Sequence, residues 1–253
     1  MATDKQRHGT SADEVEIDTI PDPRAGYIEG DTDAEAMQPQ AAARAGATTF
    51  PAGIDVSGHQ GIINWTGVAQ AEIAFAFAKA SEGTSFVDPQ FANNWARMKQ
   101  ANILRGAYHF FRPSLDPVQQ ANHFISQVEQ LNPGDLQPMI DIEVTDGVGP
   151  AHLLDGVQQW IDRVKSVLNR DPIIYTGPSF WQTATSNSTQ FSKKYPLWIA
   201  HYTNAPQPKV PGGWPVWTFW QFTDAGSVQG VSGKVDRDRF NGSLANLKKF
   251  AGL

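Results

Sequence analysis

From residue 51 onward, short runs of β-branched and aromatic residues alternate with stretches whose apolar side chains recur at helical spacing. No other property of this 253-residue chain narrows its fold so far. Residues 53–56, 73–79, 103–111, 138–143 and 172–176 have the texture of strands. Between them, Asp88-Pro89 and Asp116-Pro117 each offer an N-cap followed by a first-turn proline, predicting helices through Gln100 and over 117–128. Leu153, Leu154, Val157, Trp160, Ile161, Val164 and Leu168 mark one face of a further helix, and 179–185 reads as a short one. The rhythm then changes. Residues 197–200, 216–222 and 234–236 are strand-like runs joined by Pro/Gly loops, and only 243–250 returns to a helical pattern. Strands alternating with helices argue for a parallel sheet, and eight strands suggest closure. The expected fold is therefore α/β, an irregular TIM-like barrel that is poor in helix over its last third.

In barrels of this kind, chemistry gathers at the C-terminal ends of the strands. Asp55, Asp141, Glu143 and Asp236 each lie late in an expected strand. Asp141 and Glu143 are two apart, so on a strand they share one face at a backbone separation of roughly 6–7 Å. A bare Asp-x-Glu is more often a solvated edge than a site. Two such acids on a buried strand repel each other and resist ionisation, as a general acid must near neutral pH. Four carboxylates at one mouth allow metal binding or glycoside hydrolysis. The first favours histidine and carboxylate ligands at set spacing, whereas His59, His109, His123, His152 and His201 are scattered. Glycoside hydrolysis needs an acid for the leaving oxygen, a second group for the oxocarbenium-like centre, and aromatic platforms for sugar rings. Tyr108, Phe110, Tyr175, Trp198, Tyr202 and Trp220 fall in or beside the same strand ends. No metal and no cofactor is expected.

Composition excludes further classes. Cysteine is absent, which removes disulfides, thiolate zinc sites and thiol nucleophiles. The net charge of −6 lies wholly in residues 1–50, which hold ten acids and four bases; the remainder balances at sixteen of each. Neither part offers a basic face for nucleic acid. No apolar window is long enough to insert in a membrane, and the N-terminus does not read as a secretory signal. Residues 1–50 are acidic and then Ala/Gln/Gly-rich, and are expected to be a disordered tail or linker ahead of a catalytic domain at 51–253.

Ordered blocks along 53–247 resemble the muramidases of glycoside hydrolase family 25, the lysozymes of bacteriophages, bacteria and fungi. They include Gly53-Ile54-Asp55-Val56-Ser57, Asn64-Trp65, Lys79-Ala80-Ser81-Glu82-Gly83-Thr84, Val87-Asp88-Pro89 and Gly106-Ala107-Tyr108-His109-Phe110. Asp141-Ile142-Glu143, Ile174-Tyr175-Thr176, Leu197 through Tyr202, Trp220-Gln221-Phe222 and Val235-Asp236-Arg237 continue the series. The resemblance implies five strand–helix units followed by three strands. It implies cleavage of the β-1,4 bond between N-acetylmuramic acid and N-acetylglucosamine in peptidoglycan, with retention through the substrate's own acetamido group. By position, Glu143 would be the general acid, Asp141 would orient the acetamido group, and Asp55 and Asp236 would complete an acidic cleft. Tyr108, Phe110, Tyr175, Trp198, Tyr202 and Gln221 are the candidate substrate contacts. The family's last acidic block usually continues with an apolar or neutral residue, whereas here it reads Val235-Asp236-Arg237-Asp238-Arg239, so Asp238 competes with Asp236. Rival readings are a non-catalytic glycan-binding module on the same barrel and a chitin-type glycosidase. The implied enzyme is a monomer acting on cell wall outside the producing cytoplasm. It would leave by a non-standard route or by lysis, with residues 1–50 as a contact for delivery machinery.

Overall fold

A computed structural model describes residues 50–253; the tail expected over 1–50 lies outside the described residues except for Phe50, whose ring meets Trp217 edge-on at 5.3 Å. Among the described residues, nine strands and six α-helices follow in the order β1 (Ala52–Val56), α1 (Trp65–Gln70), β2 (Phe75–Glu82), β3 (Phe86–Val87), α2 (Phe91–Gln100), β4 (Leu104–Phe110), α3 (Pro117–Val128) and β5 (Met139–Asp141), then α4 (Pro150–Leu168), β6 (Ile173–Thr176), α5 (Pro178–Ala184), β7 (Leu197–Ala200), β8 (Phe219–Gly226), β9 (Val235–Phe240) and α6 (Leu244–Phe250). β1 pairs with both β2 and β9, which closes eight strands into a barrel, and β3 is a short hairpin on β2. Around the barrel, β1, β2 and β4 through β8 pair in parallel, while β9 runs antiparallel to β8 and to β1 and the β3 hairpin is antiparallel to β2. Five strand–helix units precede three strands, in the irregular TIM-like arrangement.

Strand parity separates two cores. Ile54, Val56, Ala76, Ala78, Ala107, Ile140, Ile174, Leu197 and Ile199 point outward beneath the helices, with Trp160 and Phe124. Phe75, Phe77, Tyr108, Met139, Ile173, Tyr175, Trp198, Phe219 and Phe240 fill the interior. Two glycines make room for the inner rings: a Cβ on Gly53 would stand 2.2 Å from the Phe75 ring, and one on Gly106 would stand 2.2 Å from Phe77. These rings pack edge to face, Phe77 on Trp198 at 4.5 Å and Phe75 on Phe219 at 5.2 Å.

Local expectations fail in three places. α1, six residues capped by the Asn64 side chain, is too short to show two turns of periodicity. α2 begins at Phe91 without a side-chain cap; Asp88 instead accepts from Gly58 N at 2.7 Å and Gln90 N at 2.9 Å, tying the loop after β1 to the loop before α2. The final strand is longer than 234–236 and reversed, so Asp236 stands near its beginning. Because β9 is antiparallel, that beginning comes to the same end of the barrel as the C-termini of the other strands. Asp116 does cap α3, accepting from Gln119 N at 2.8 Å ahead of Pro117.

Candidate active site

The site is built at the C-terminal ends of β1 and β4–β8. β5 ends at Asp141, two residues short of the strand expected through Glu143. The backbone beyond it is nevertheless pinned on both sides. Phe111 N donates to Asp141 O at 3.0 Å, Ile142 N to Tyr175 O at 3.0 Å, and Thr176 Oγ1 to Ile142 O at 3.0 Å. Ile142 is fully buried outside the barrel, which leaves the flanking Asp141 and Glu143 on the opposite, inward side. Asp141 lies in register between Phe110 on β4 and Tyr175 on β6. It is buried, whereas Glu143 is part-exposed.

Across the barrel, Asp55 on β1 is opposite Asp236 on β9, and both are buried. A side-chain clamp ties this wall to the tyrosines. Gln221 Nε2 donates to Asp55 Oδ2 at 2.6 Å, while its Oε1 accepts from Tyr175 OH at 2.9 Å and Tyr202 OH at 2.7 Å. Two phenol donors on one end and a carboxylate on the other leave the amide a single sensible orientation. Tyr202 is half-exposed, yet its hydroxyl is deep. Desolvation, followed by the negative fields of Asp236, Asp224, Asp55 and Glu143, pushes it above the usual phenol range, so it remains a donor. Three of the four predicted acids therefore bear on one hydroxyl. The fourth, Asp141, is the register partner of Tyr175, which shares the same glutamine.

The other predicted residues divide by depth. Tyr108 and Trp198 lie in the inner core, with Trp198 fully buried as part of the floor. Phe110 is buried beside Lys79, whose Nζ is 5.0 Å from its ring centroid. Trp220 turns outward and donates from Nε1 to His201 O at 2.8 Å. His109 also points away from the interior: it stacks on Trp160, with Nδ1 2.9 Å from Ser81 Oγ and Nε2 3.1 Å from Gln120 Oε1. Gln120 Oε1 already accepts from Arg112 N, so it faces the imidazole as an acceptor and the proton is on Nε2. Burial lowers the His109 pKa to about 3, which keeps it neutral.

Sequence reasoning assigned no role to a mixed-charge rim at the ends of β2 and β4. Lys79 pairs with Glu82 at 2.6 Å, and Arg112 reaches Glu82 at 3.7 Å and Asp146 at 3.0 Å. Lys79 shares parity with the inward Phe75 and Phe77, the one signal that could have placed it. Among the described residues, no group of three or more His, Asp or Glu is arranged to hold a metal ion, and no helix is long and apolar enough to cross a membrane.

Positions 54–231 match the profile of the family described as Glycosyl hydrolases family 25, an interval that contains Asp55, Asp141, Glu143 and Gln221 and stops short of Asp236. Lysozyme M1 of Streptomyces globisporus is 41% identical over 208 residues, covering 79% of this chain and 70% of that protein. The N,O-diacetylmuramidase of a Chalaropsis species is 36% identical over 213 residues, covering 79% of this chain and 98% of that protein. The crystal structure of a bacterial lysozyme from Streptomyces coelicolor superposes with a TM-score of 0.78 at 39% identity, covering 81% of this chain and 98% of that one. A profile spanning most of the barrel, close relatives over nearly four-fifths of the sequence and a shared architecture place the chain in glycosyl hydrolase family 25.

Proposed function

We propose that this chain is an N-acetylmuramidase, hydrolysing the β-1,4 bond between N-acetylmuramic acid and N-acetylglucosamine in peptidoglycan. The observation that carries the reading is the convergence of carboxyls from β1, β9 and the end of β5 on the Gln221–Tyr175–Tyr202 clamp. The lysozyme and muramidase names of the relatives support the same substrate.

In this mechanism the part-exposed Glu143 gives its proton to the glycosidic oxygen as the bond from that oxygen to the muramic acid C1 breaks. The carbonyl oxygen of the same sugar's acetamido group bonds to C1, forming an oxazolinium ring, and Asp141 receives the acetamido N–H. Water then attacks C1 from the leaving-group side and gives its proton to the Glu143 carboxylate. The ring reopens and the anomeric configuration is retained. An inverting enzyme would need opposed carboxyls about 6.5–9.5 Å apart with a water between them. Asp141 and Glu143, two apart and turned inward on one segment, suit the acetamido route better. Asp55 and Asp236 form the far wall and hold the sugar by its hydroxyls.

Replacing Glu143 by Gln keeps shape and removes the transferable proton. The variant should lose at least about 100-fold in release of reducing ends from purified peptidoglycan, the lower range for a general acid, with an unaltered circular dichroism spectrum. Near-normal release would refute the assignment, and retained peptidoglycan binding without any release by the unaltered protein would point to a binding module.

A further inference from the structure

The proposed mechanism leaves one inward carboxyl of β9 unused. Asp238 shares the inner face with Asp236 but lies one layer deeper, in register with Gly53 on β1 and Gln221 on β8. It is 1% exposed, and neither carboxyl oxygen has a hydrogen-bond donor. Its surroundings are Asp55 from β1, Asp236 and Arg237 from its own strand, and Trp198 from β7. From β8 comes Gln221, whose amide oxygen is already taken by Tyr175 and Tyr202. β2 contributes the rings of Phe75 and Phe77 to the same interior. Arg237 alternates out of phase with Asp236 and Asp238, and the Trp198 indole faces the carboxyl without closing a bond of hydrogen-bonding geometry.

An ionised carboxylate with no donor, buried beside two other carboxyls, is among the costliest arrangements a protein interior can hold. The neutral acid is tolerable there and is itself a donor, as in sites where a protonated Asp supplies a hydrogen bond. We propose that Asp238 is a positioning residue that keeps its proton at the enzyme's working pH and directs its O–H toward the carboxylates above it, setting the orientation in which Asp55 and Asp236 meet the sugar. Burial, reinforced by the charges of Asp55 and Asp236, raises its pKa well above the ordinary carboxyl range. Only the kinetic arm of the test rests on the muramidase reading.

The first arm uses no substrate. In the unfolded chain Asp238 ionises like any exposed aspartate, at about 3.9, while in the folded chain it stays protonated. The native state thus binds more protons, and stability falls as pH rises from about 4 toward the raised folded pKa. Asp238→Asn has no proton to hold. Its melting midpoint minus that of the unaltered protein should grow by several degrees, on the order of those that a kcal/mol or two produces, between pH 4 and 7. A flat or shrinking difference would overturn the proposal.

The second arm compares Asp238→Leu, which has no donor, with Asp238→Asn, whose amide N–H can replace the carboxyl O–H. On peptidoglycan the leucine variant should lose about tenfold or more in kcat with KM little changed, and the asparagine variant should recover most of that loss. Equal rates for the two would count against a positioning role. If the leucine variant does not fold, the melting series with asparagine decides alone. If the unaltered protein releases no reducing ends, the muramidase reading fails while the melting series still reports on Asp238.

Discussion

Gln221 uses both ends of its amide, and the magnitudes say which end matters more. A hydrogen bond to a charged group contributes about 1.5–3 kcal/mol, against about 0.5–1.5 for a neutral one. The 2.6 Å bond to Asp55 should therefore outweigh either tyrosine bond. Gln221→Leu should lower kcat about 10- to 100-fold, since each 1.36 kcal/mol is tenfold in rate. Tyr202→Phe, which removes one of two donors to the same oxygen, should cost only a few-fold. Reducing-end assays on both variants check the order, and a larger loss for Tyr202→Phe would mean that the phenol itself touches substrate. Gln221 was visible only as part of a family-like Trp-Gln-Phe block. Its partners lie 166, 46 and 19 residues away, a separation that no local pattern reports.

At the scale of elements, β4 and α3 meet at a buried imidazole with a pH signature. The folded His109 stays neutral down to about pH 3, while in the unfolded chain it takes up a proton at the ordinary imidazole value of about 6.5. Between those values the unfolded state binds the extra proton, so stability falls as pH drops, by up to about 1.4 kcal/mol per unit. Because Asp238 contributes the opposite slope over much of this range, the signature is read as a difference: the melting midpoint of the unaltered protein minus that of His109→Gln should shrink as pH falls from 7 to 4, although that variant will be less stable overall. Equal slopes would place the acid sensitivity elsewhere. Period-two and helical patterns made the eight barrel strands and the longer helices legible, because Phe75 and Phe77 against Ala76 and Ala78 encode two faces directly. The direction of β9 was not legible. A strand's polarity is set by which edges remain to be closed, and Val235-Asp236 reads the same in either sense. Asp88 looked like a helix cap because Asp-Pro usually is one, whereas its acceptor role reaches 30 residues back to Gly58.

For the whole molecule, the inner aromatic core is both the barrel's filling and the site's floor. Phe77 touches Trp198 and Phe219, and Trp198 lies beneath Tyr175 at 5.6 Å. Phe77→Ala should cost about 3–5 kcal/mol and lower the melting midpoint by on the order of 10 °C, with activity per folded molecule reduced as the floor relaxes. A shift below about 2 °C would mean the interior can collapse around the loss. The most direct test of the account is the chemistry of its products. Purified peptidoglycan is digested, each new reducing terminus is identified by borohydride reduction and mass, and the anomer first released is read by proton NMR. A retaining muramidase gives new termini on N-acetylmuramic acid alone, released in the β configuration. Termini on N-acetylglucosamine, an α first product, or no new termini would contradict that assignment.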